Sequence, residues 1–144
     1  MPSDIWERIL LKLGDIKNLL PSRLKKLDNR LVEHFRFFSI IDENVRFVIY
    51  KSCELVHFAE ANTLVEDDVD ETKYVYIVLK GKVDYMMYKA ETKSTVVAAT
   101  YRAGEVFGDA SIQRQFFDVM KFLSKDKNYL QTSCDNVYAI RVPK

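Results

Sequence analysis

The residues best suited to chemistry lie in one short stretch, Gly104 to Ser111, with the sequence GEVFGDAS. Glycine allows positive φ angles and lets a ligand come close to the backbone. Gly108 leads directly into an acidic residue and two small ones, Asp109, Ala110 and Ser111. Such a sequence can start a short helix whose N–H groups, at Ala110 and Ser111, face an anion. A purely structural turn explains the pattern about as well.

Other reactive residue types are too few for most catalytic sites. The chain has two histidines, His34 and His57, so a metal site of two or three histidines on one strand or helix cannot be built. Neither histidine has a nucleophile motif such as GxSxG beside it, which argues against Ser-His-Asp and Cys-His catalysis. We therefore expect a protein that is not an enzyme and holds no metal and no cofactor.

The composition is that of one folded domain. The chain has 144 residues and a mass of 16.9 kDa. Hydrophobic residues make up 48% and charged residues 30%, which predicts a packed core rather than disorder. Lys and Arg total 22 against 21 for Asp and Glu, giving a net charge of +1. This near-balance argues against a dedicated nucleic-acid binder.

Targeting features and cysteines indicate a cytoplasmic protein. No apolar run reaches the about 18 residues of a membrane span, and the N-terminus has the wrong order of features for a signal peptide. The two cysteines, Cys53 and Cys134, are not in CxxC spacing. We favour two reduced thiols in the cytosol, with a single disulfide as the alternative.

The first part of the chain is predicted to be helical. Asp4 and Glu7 resemble a capping box, and one helix face then carries the apolar residues Ile5, Ile9, Leu13, Ile16 and Leu20. Pro21 should end this helix, and Ser22 should cap a second one with the stripe Leu24, Leu27, Leu31 and Phe35. Asp42 should cap a third, short helix. The stripes should pack on the body of the domain or on a protein partner.

From about residue 55 the pattern changes to strands. Short runs rich in Val, Ile, Tyr, Thr and Phe alternate with polar turns, at 55–59, 63–66, 74–79, 82–88, 95–101 and 137–142. Lys80 to Lys82 should form a tight hairpin, and Lys89 to Ser94 a longer one. Short strands joined by hairpins predict an α+β protein with an antiparallel β-roll, resembling a jelly roll, rather than a parallel sheet.

At this point the sequence resembles the cyclic nucleotide-binding domain family, from about Phe37 to Val142. The resemblance covers the start of a short helix at Phe37, the hairpin from Val75 to Val83, and the turn from Gly104 to Ala110, which looks like the family's phosphate-binding cassette. It implies a β-roll flanked by helices that binds cAMP or cGMP. In such domains ligand binding repositions a C-terminal helix and switches an attached kinase, channel, exchange factor or transcription factor.

The resemblance divides the chain into a helical segment, 1–36, and a β-roll, 37–144. It also implies a set of ligand-binding residues: Val106, Phe107, Gly108, Asp109, Ala110, Ser111, Thr132 and Ser133.

Several positions depart from the family pattern. Family cassettes carry a Glu for the ribose 2′-hydroxyl, and Asp109 stands at that position. They also carry an Arg for the cyclic phosphate, but the corresponding run, Tyr129 to Cys134, contains none. Ala61 and Asp67 replace the glycines that the family places around its second strand. These departures predict a degenerate or altered ligand site.

Two differences concern whole segments. An insertion, Phe116 to Asn128, follows the cassette, and its apolar residues Phe116, Val119, Met120 and Leu123 predict a helix over about 116–125. The sequence stops at Lys144, where the family continues into a C-terminal lid helix. We therefore expect a fragment of a larger signalling protein.

Three functions follow from these observations. We favour a non-enzymatic regulatory module with weak or altered binding of a cyclic nucleotide or a related nucleoside, without nucleic-acid partners. The alternative is a competent cAMP or cGMP receptor in which another cation, from Arg114, Lys121, Lys125 or Lys127, replaces the lost Arg. The third is an enzyme on a related double-stranded roll, such as a metal-dependent cupin, against which the histidine shortage counts heavily.

Overall fold

The computed structural model describes residues 16–66, 73–89, 91–108 and 128–143. The chain divides into two compact units, Met1–Leu55 and Val56–Lys144. These units are defined by packing, whereas the predicted division into 1–36 and 37–144 rests on the family resemblance. That division stays a prediction.

The first long helix, α1, spans Pro21–His34 and begins two residues earlier than predicted. Pro21 occupies its first helical position, where a missing N–H costs nothing. Leu20 is the N-cap and makes no side-chain cap hydrogen bond. The prediction that Ser22 caps this helix is therefore wrong. The predicted apolar stripe is confirmed, because Leu24, Leu27, Leu31 and Phe35 are all buried.

Before α1, the structure describes only a 3-10 turn at Ile16–Asn18. The predicted capping box and most of the helix predicted over 5–20 lie outside the described residues.

Two shorter helices complete the helical unit. Helix α2 spans Arg36–Ser39 and helix α3 spans Glu43–Ser52. The cap of α3 is confirmed, since the Asp42 carboxylate accepts a hydrogen bond from the Asn44 N–H at 3.1 Å. Tyr50 is the buried side chain of α3.

The second unit is built from two four-stranded sheets. The strands are β1 (Glu54–Phe58), β2 (Leu64–Glu66), β3 (Tyr74–Lys80), β4 (Lys82–Lys89), β5 (Ser94–Arg102), β6 (Val106–Phe107), β7 (Tyr129–Thr132) and β8 (Val137–Pro143). One sheet has the order β1-β8-β3-β6, and the other has the order β2-β7-β4-β5. All six predicted strand segments are present, as β1 to β5 and β8. Strands β6 and β7 were not predicted.

The core of this unit lies between the inward faces of the sheets. Side chains alternate along each strand, and β4 shows the pattern with Val83, Tyr85 and Met87 buried. They cluster with Tyr76, Val78, Phe107, Leu130, Val137 and Ala139 from the other strands. This antiparallel arrangement confirms the predicted α+β roll.

The predicted tight hairpin at Lys80–Lys82 is wrong, because β3 and β4 belong to different sheets and Gly81 forms the turn between them. Gly81 has a φ of 91°, and a Cβ there would lie 2.8 Å from Cγ2 of Val137. Any other residue would therefore strain the turn and push against β8.

Candidate functional site

The predicted cassette begins at a turn that is fixed to β3. Gly104 has a φ of 90°, and its N–H donates to the Val78 carbonyl at 2.7 Å. The Val78 N–H donates in return to the Glu105 carbonyl at 3.0 Å. The Glu105 carboxylate closes the turn by accepting from the Arg102 N–H at 3.0 Å. The turn therefore delivers β6 to the edge of the sheet in a fixed register.

Gly108 fixes where the chain leaves β6. Its φ is 96°, and a Cβ there would collide with the carbonyl oxygen of Tyr74 and lie 3.3 Å from Cα of Val75. The backbone of Gly108 thus lies directly against the start of β3. Glycine is required here both for the positive φ and for this close approach.

The predicted site residues fall into three groups. Val106 and Phe107 form β6, and Gly108 follows them. Asp109, Ala110 and Ser111 lie outside the described residues, as do the predicted 116–125 helix and the four candidate cations between residues 114 and 127. Thr132 and Ser133 lie at the end of β7, which belongs to the other sheet.

Thr132 holds the neighbouring turn in place. Its hydroxyl accepts from the Thr63 N–H and donates to the Glu60 carbonyl, each at 2.9 Å. The residue is fully buried. Its only hydroxyl proton is therefore already used within the protein. Ser133 is exposed, and its N–H donates to the Lys82 carbonyl at 3.0 Å. Ligand binding by Thr132 and Ser133 stays a prediction.

An aromatic stack lines the roll interior beside the predicted cassette. The ring of Phe107 lies parallel to that of Tyr76, with the centroids 4.8 Å apart, and 5.0 Å from the ring of Tyr101. The Tyr76 hydroxyl donates to the Glu66 carboxylate at 2.5 Å. Burial, followed by this hydrogen bond, raises the pKa of Tyr76 well above its usual range. The phenol is therefore a neutral donor at any physiological pH.

Arg141 brings a positive charge to the same place. It pairs with Tyr76 across β3 and β8 and lies on the face of β8 that carries Val137 and Ala139. Its guanidinium carbon lies 4.5 Å above the centroid of the Tyr74 ring. Its positive charge lowers the pKa of Tyr76, against the larger effects of burial and Glu66. The sequence analysis missed this residue, although the alternation Val137, Ala139, Arg141 could have placed it inward.

Asn128 is the second residue that the sequence analysis missed. It immediately precedes β7 and is 4% exposed. Its amide nitrogen and oxygen have no hydrogen-bond partner within the part of the chain that the structure describes. A buried amide in this condition is unusual, because nearly all buried polar groups in proteins are paired.

Among the described residues, no group of three or more His, Cys, Asp and Glu side chains is arranged to hold a metal ion. None of the helices in these ranges has both the length and the apolar composition of a membrane span. Cys53 is buried and Cys134 is half-buried, and both are free thiols.

Comparison with solved structures identifies the architecture. A regulatory subunit of a cAMP-independent protein kinase A from Trypanosoma brucei, a triple mutant bound to cAMP in the A site, matches 84% of this chain with a TM-score of 0.60 and 16% identity. The regulatory domain of Toxoplasma gondii PKA with cAMP matches 88% with a TM-score of 0.60 and 15% identity. The chain has the cyclic nucleotide-binding fold.

A third cyclic nucleotide-binding fold was solved with a different ligand. The regulatory subunit of a cAMP-independent protein kinase A from Trypanosoma cruzi, bound to guanosine, matches 79% of this chain with a TM-score of 0.58 and 11% identity. This chain spans 40%, 44% and 37% of the three proteins, in the order given. No family model matches the sequence, and no curated protein matches it.

Proposed function

We propose that this chain is a non-enzymatic regulatory module of the cyclic nucleotide-binding type, from a larger signalling protein, with weakened or altered ligand binding. One observation carries the proposal. Gly108 leaves β6 with a positive φ, against the start of β3, at the point where the resemblance places the phosphate-binding cassette. The run that follows on β7, Tyr129 to Cys134, has no Arg to pair with a cyclic phosphate.

The missing Arg sets the size of the expected loss. The predicted helix start at Ala110 and Ser111 would favour a phosphate by about 0.3–1 kcal/mol through its dipole. Losing a charged partner in a desolvated site costs about 2–5 kcal/mol. Since about 1.4 kcal/mol is tenfold in affinity, the penalty is roughly thirty-fold to several thousand-fold. The shorter side chain of Asp109 should weaken contact with the ribose hydroxyl further.

The remaining parts of the proposal concern setting and partners. The two free thiols support a reducing compartment, which we propose is the cytoplasm. The solved relatives support a larger parent protein, since each of the three is more than twice as long as the stretch it shares with this chain. We propose that the N-terminal helices bind that parent or a protein partner.

A second candidate is a competent cAMP or cGMP receptor. It is favoured by Arg141, an inward-facing cation that is present although the cassette Arg is absent. A guanidinium at this position could pair with a phosphate that reaches the interior of the roll.

Calorimetric titration of the full chain with cAMP, cGMP, adenosine and guanosine tests the two candidates. The proposed function predicts dissociation constants above about 1 μM for both cyclic nucleotides, which corresponds to about −8.2 kcal/mol. Tighter binding would contradict the weakened site and support the second candidate. In that case Arg141→Gln should reduce the affinity, while Arg102→Gln, at an exposed position, serves as the matched control.

A further inference from the structure

The unpaired amide of Asn128 lies at the end of the roll interior that holds Glu66. Along β7 the buried positions are Leu130 and Thr132, and Asn128 continues this alternation by one step. Leu130 pairs directly with Glu66 on β2. Asn128 lies two residues before Leu130, next to the irregular register at which β2 pairs with β7, and so falls on the same side of the chain as the partner of Glu66.

The other polar groups of the interior meet at the same end. Glu66 closes β2 and Tyr74 opens β3, and the hydrogen bond from Tyr76 to Glu66 joins the two sheets there. Arg141 pairs with Tyr76 across β3 and β8, and its guanidinium lies over the ring of Tyr74. A carboxylate, a phenol and a guanidinium therefore lie at this end of the roll, and the strand register puts the unpaired Asn128 amide on the same side. Glu66 and Arg141 are half-buried, whereas Asn128 and Tyr76 are buried.

The charges of this region favour an uncharged ligand. Glu66 contributes one negative charge and Arg141 one positive charge, so the formal charges cancel. A phosphate placed here would gain from Arg141 but would also meet the Glu66 carboxylate in a poorly solvated site. An uncharged ligand carries no such penalty. It must instead offer a donor and an acceptor to the Asn128 amide.

A nucleoside has this chemistry. The amide of Asn pairs with the adjacent donor and acceptor on the edge of a purine, and a ribose diol supplies donors and acceptors for a carboxylate. We propose that Glu66, Asn128 and Arg141, together with Tyr76, form a binding site for an uncharged purine nucleoside, in which the Asn128 amide binds the ligand directly. This inference rests on the proposed function and names the altered ligand.

The test is the substitution Asn128→Leu in the full chain, with binding of adenosine and guanosine measured by calorimetry and stability measured by thermal melting. Leu has nearly the same size and removes an unsatisfied amide, so the unliganded variant should melt at the same temperature or higher. Nucleoside affinity should fall by about tenfold to a hundredfold. The matched control is Gln131→Leu, at a half-buried position with the opposite alternation on β7, which should leave the affinity unchanged.

Two results would overturn the inference. One is unchanged nucleoside binding by Asn128→Leu, or no binding of adenosine or guanosine by the natural sequence at millimolar concentration. The other is a lower melting temperature of the unliganded variant, which would show that the amide has a structural partner. Asn128→Ala provides the binding comparison if the Leu variant does not fold. The proposed function fails separately, through submicromolar binding of cAMP or cGMP.

Discussion

The guanidinium of Arg46 meets the carboxylate of Asp28 through two nitrogens. The distances are 2.7 Å from Nε to Oδ1 and 3.0 Å from Nη2 to Oδ2. The Tyr50 hydroxyl donates to the same carboxylate at 2.6 Å, and Nη1 of Arg46 donates to the Ile41 carbonyl, also at 2.6 Å. Asp28 is 1% exposed. This network ties α1 to α3 inside the helical unit.

The network also sets the ionisation of Asp28. Burial alone would raise the pKa of this carboxyl, but hydrogen bonds from Arg46 and Tyr50 and the charge of Arg46 outweigh burial. The pKa therefore lies below its ordinary value of 3.8. A carboxyl with a lowered folded-state pKa stabilises the protein above the unfolded value, and this contribution disappears as the pH falls through the lowered one.

We expect Asp28→Ala to destabilise the helical unit by about 3–5 kcal/mol at pH 7, because Arg46, whose side chain is only 12% exposed, would be left without its counter-charge. Urea unfolding measures the loss. The difference from the natural sequence should shrink as the pH falls from 3.8 through the lowered pKa, because Asp28 is protonated first in the unfolded and then in the folded protein. The control is Glu43→Gln, which removes an exposed ion pair with Lys25 and should cost less than about 1 kcal/mol. Equal losses from both substitutions would contradict this account.

Single residues also show where sequence reasoning stopped. The need for glycine at position 108 could be predicted from the sequence, because a glycine before an acidic residue and small residues is typical of a turn that needs a positive φ. The burial of Asn128 could not be predicted, because it depends on β7. This strand has only four residues, and the polar Gln131 among them hides its strand character. Its pairing with β2 and β4 is a property of the folded roll, and nothing local in the sequence encodes it.

At the scale of elements, the longer strands and the helices with clear apolar stripes could be predicted. Strand β6 has only two residues, Val106 and Phe107, which is too short for a periodicity to show. The predicted start of α1 was wrong because a proline such as Pro21 is compatible with two positions relative to a helix. A proline can end one helix and also occupy the first position of the next.

The hydroxyl of Thr132 links β7 to the turn at Thr63 through hydrogen bonds, and their contribution to the stability of the roll can be tested. Thr132→Val keeps the shape but removes the partner of the Thr63 N–H, so we expect a loss of about 1–3 kcal/mol in the free energy of unfolding. Chemical denaturation measures it. Thr92→Val is the control, because the Thr92 hydroxyl is exposed and contacts the Ser94 hydroxyl, and it should change stability by less than about 0.5 kcal/mol. Similar losses of stability from both substitutions would contradict a stabilising role of the Thr132 hydroxyl.

The helix predicted over about 116–125 lies outside the described residues and stays a prediction. Its four apolar residues at helical spacing should bury one face, which would protect its amides from hydrogen exchange. Exchange measured by mass spectrometry should show protection in this segment. The amides of β3, Tyr74–Lys80, provide the protected reference. Rapid exchange throughout 116–125 would rule the helix out.

At the scale of the whole molecule, the class of fold was accessible from the sequence. The hairpin predicted at residues 89–94 indicates antiparallel strands, and β4 and β5 pair in this way. The turn at Gly81 instead joins β3 to β4, which lie in different sheets. How the strands divide between two sheets was not accessible. That division depends on pairings such as β2 with β7, which join segments far apart in the chain.

These distant pairings set the order in which the roll can be made. The β4–β5 hairpin is local. The hydrogen bonds that join the segment 57–63 to the segment 132–136 connect residues 69 to 79 positions apart. Closing such long loops costs entropy that only the finished pairings repay. During synthesis, the β4–β5 hairpin can therefore form early, but neither sheet is complete until β7 and β8 have left the ribosome. The end of the roll with Glu66 and Asn128 would be among the last parts to assemble.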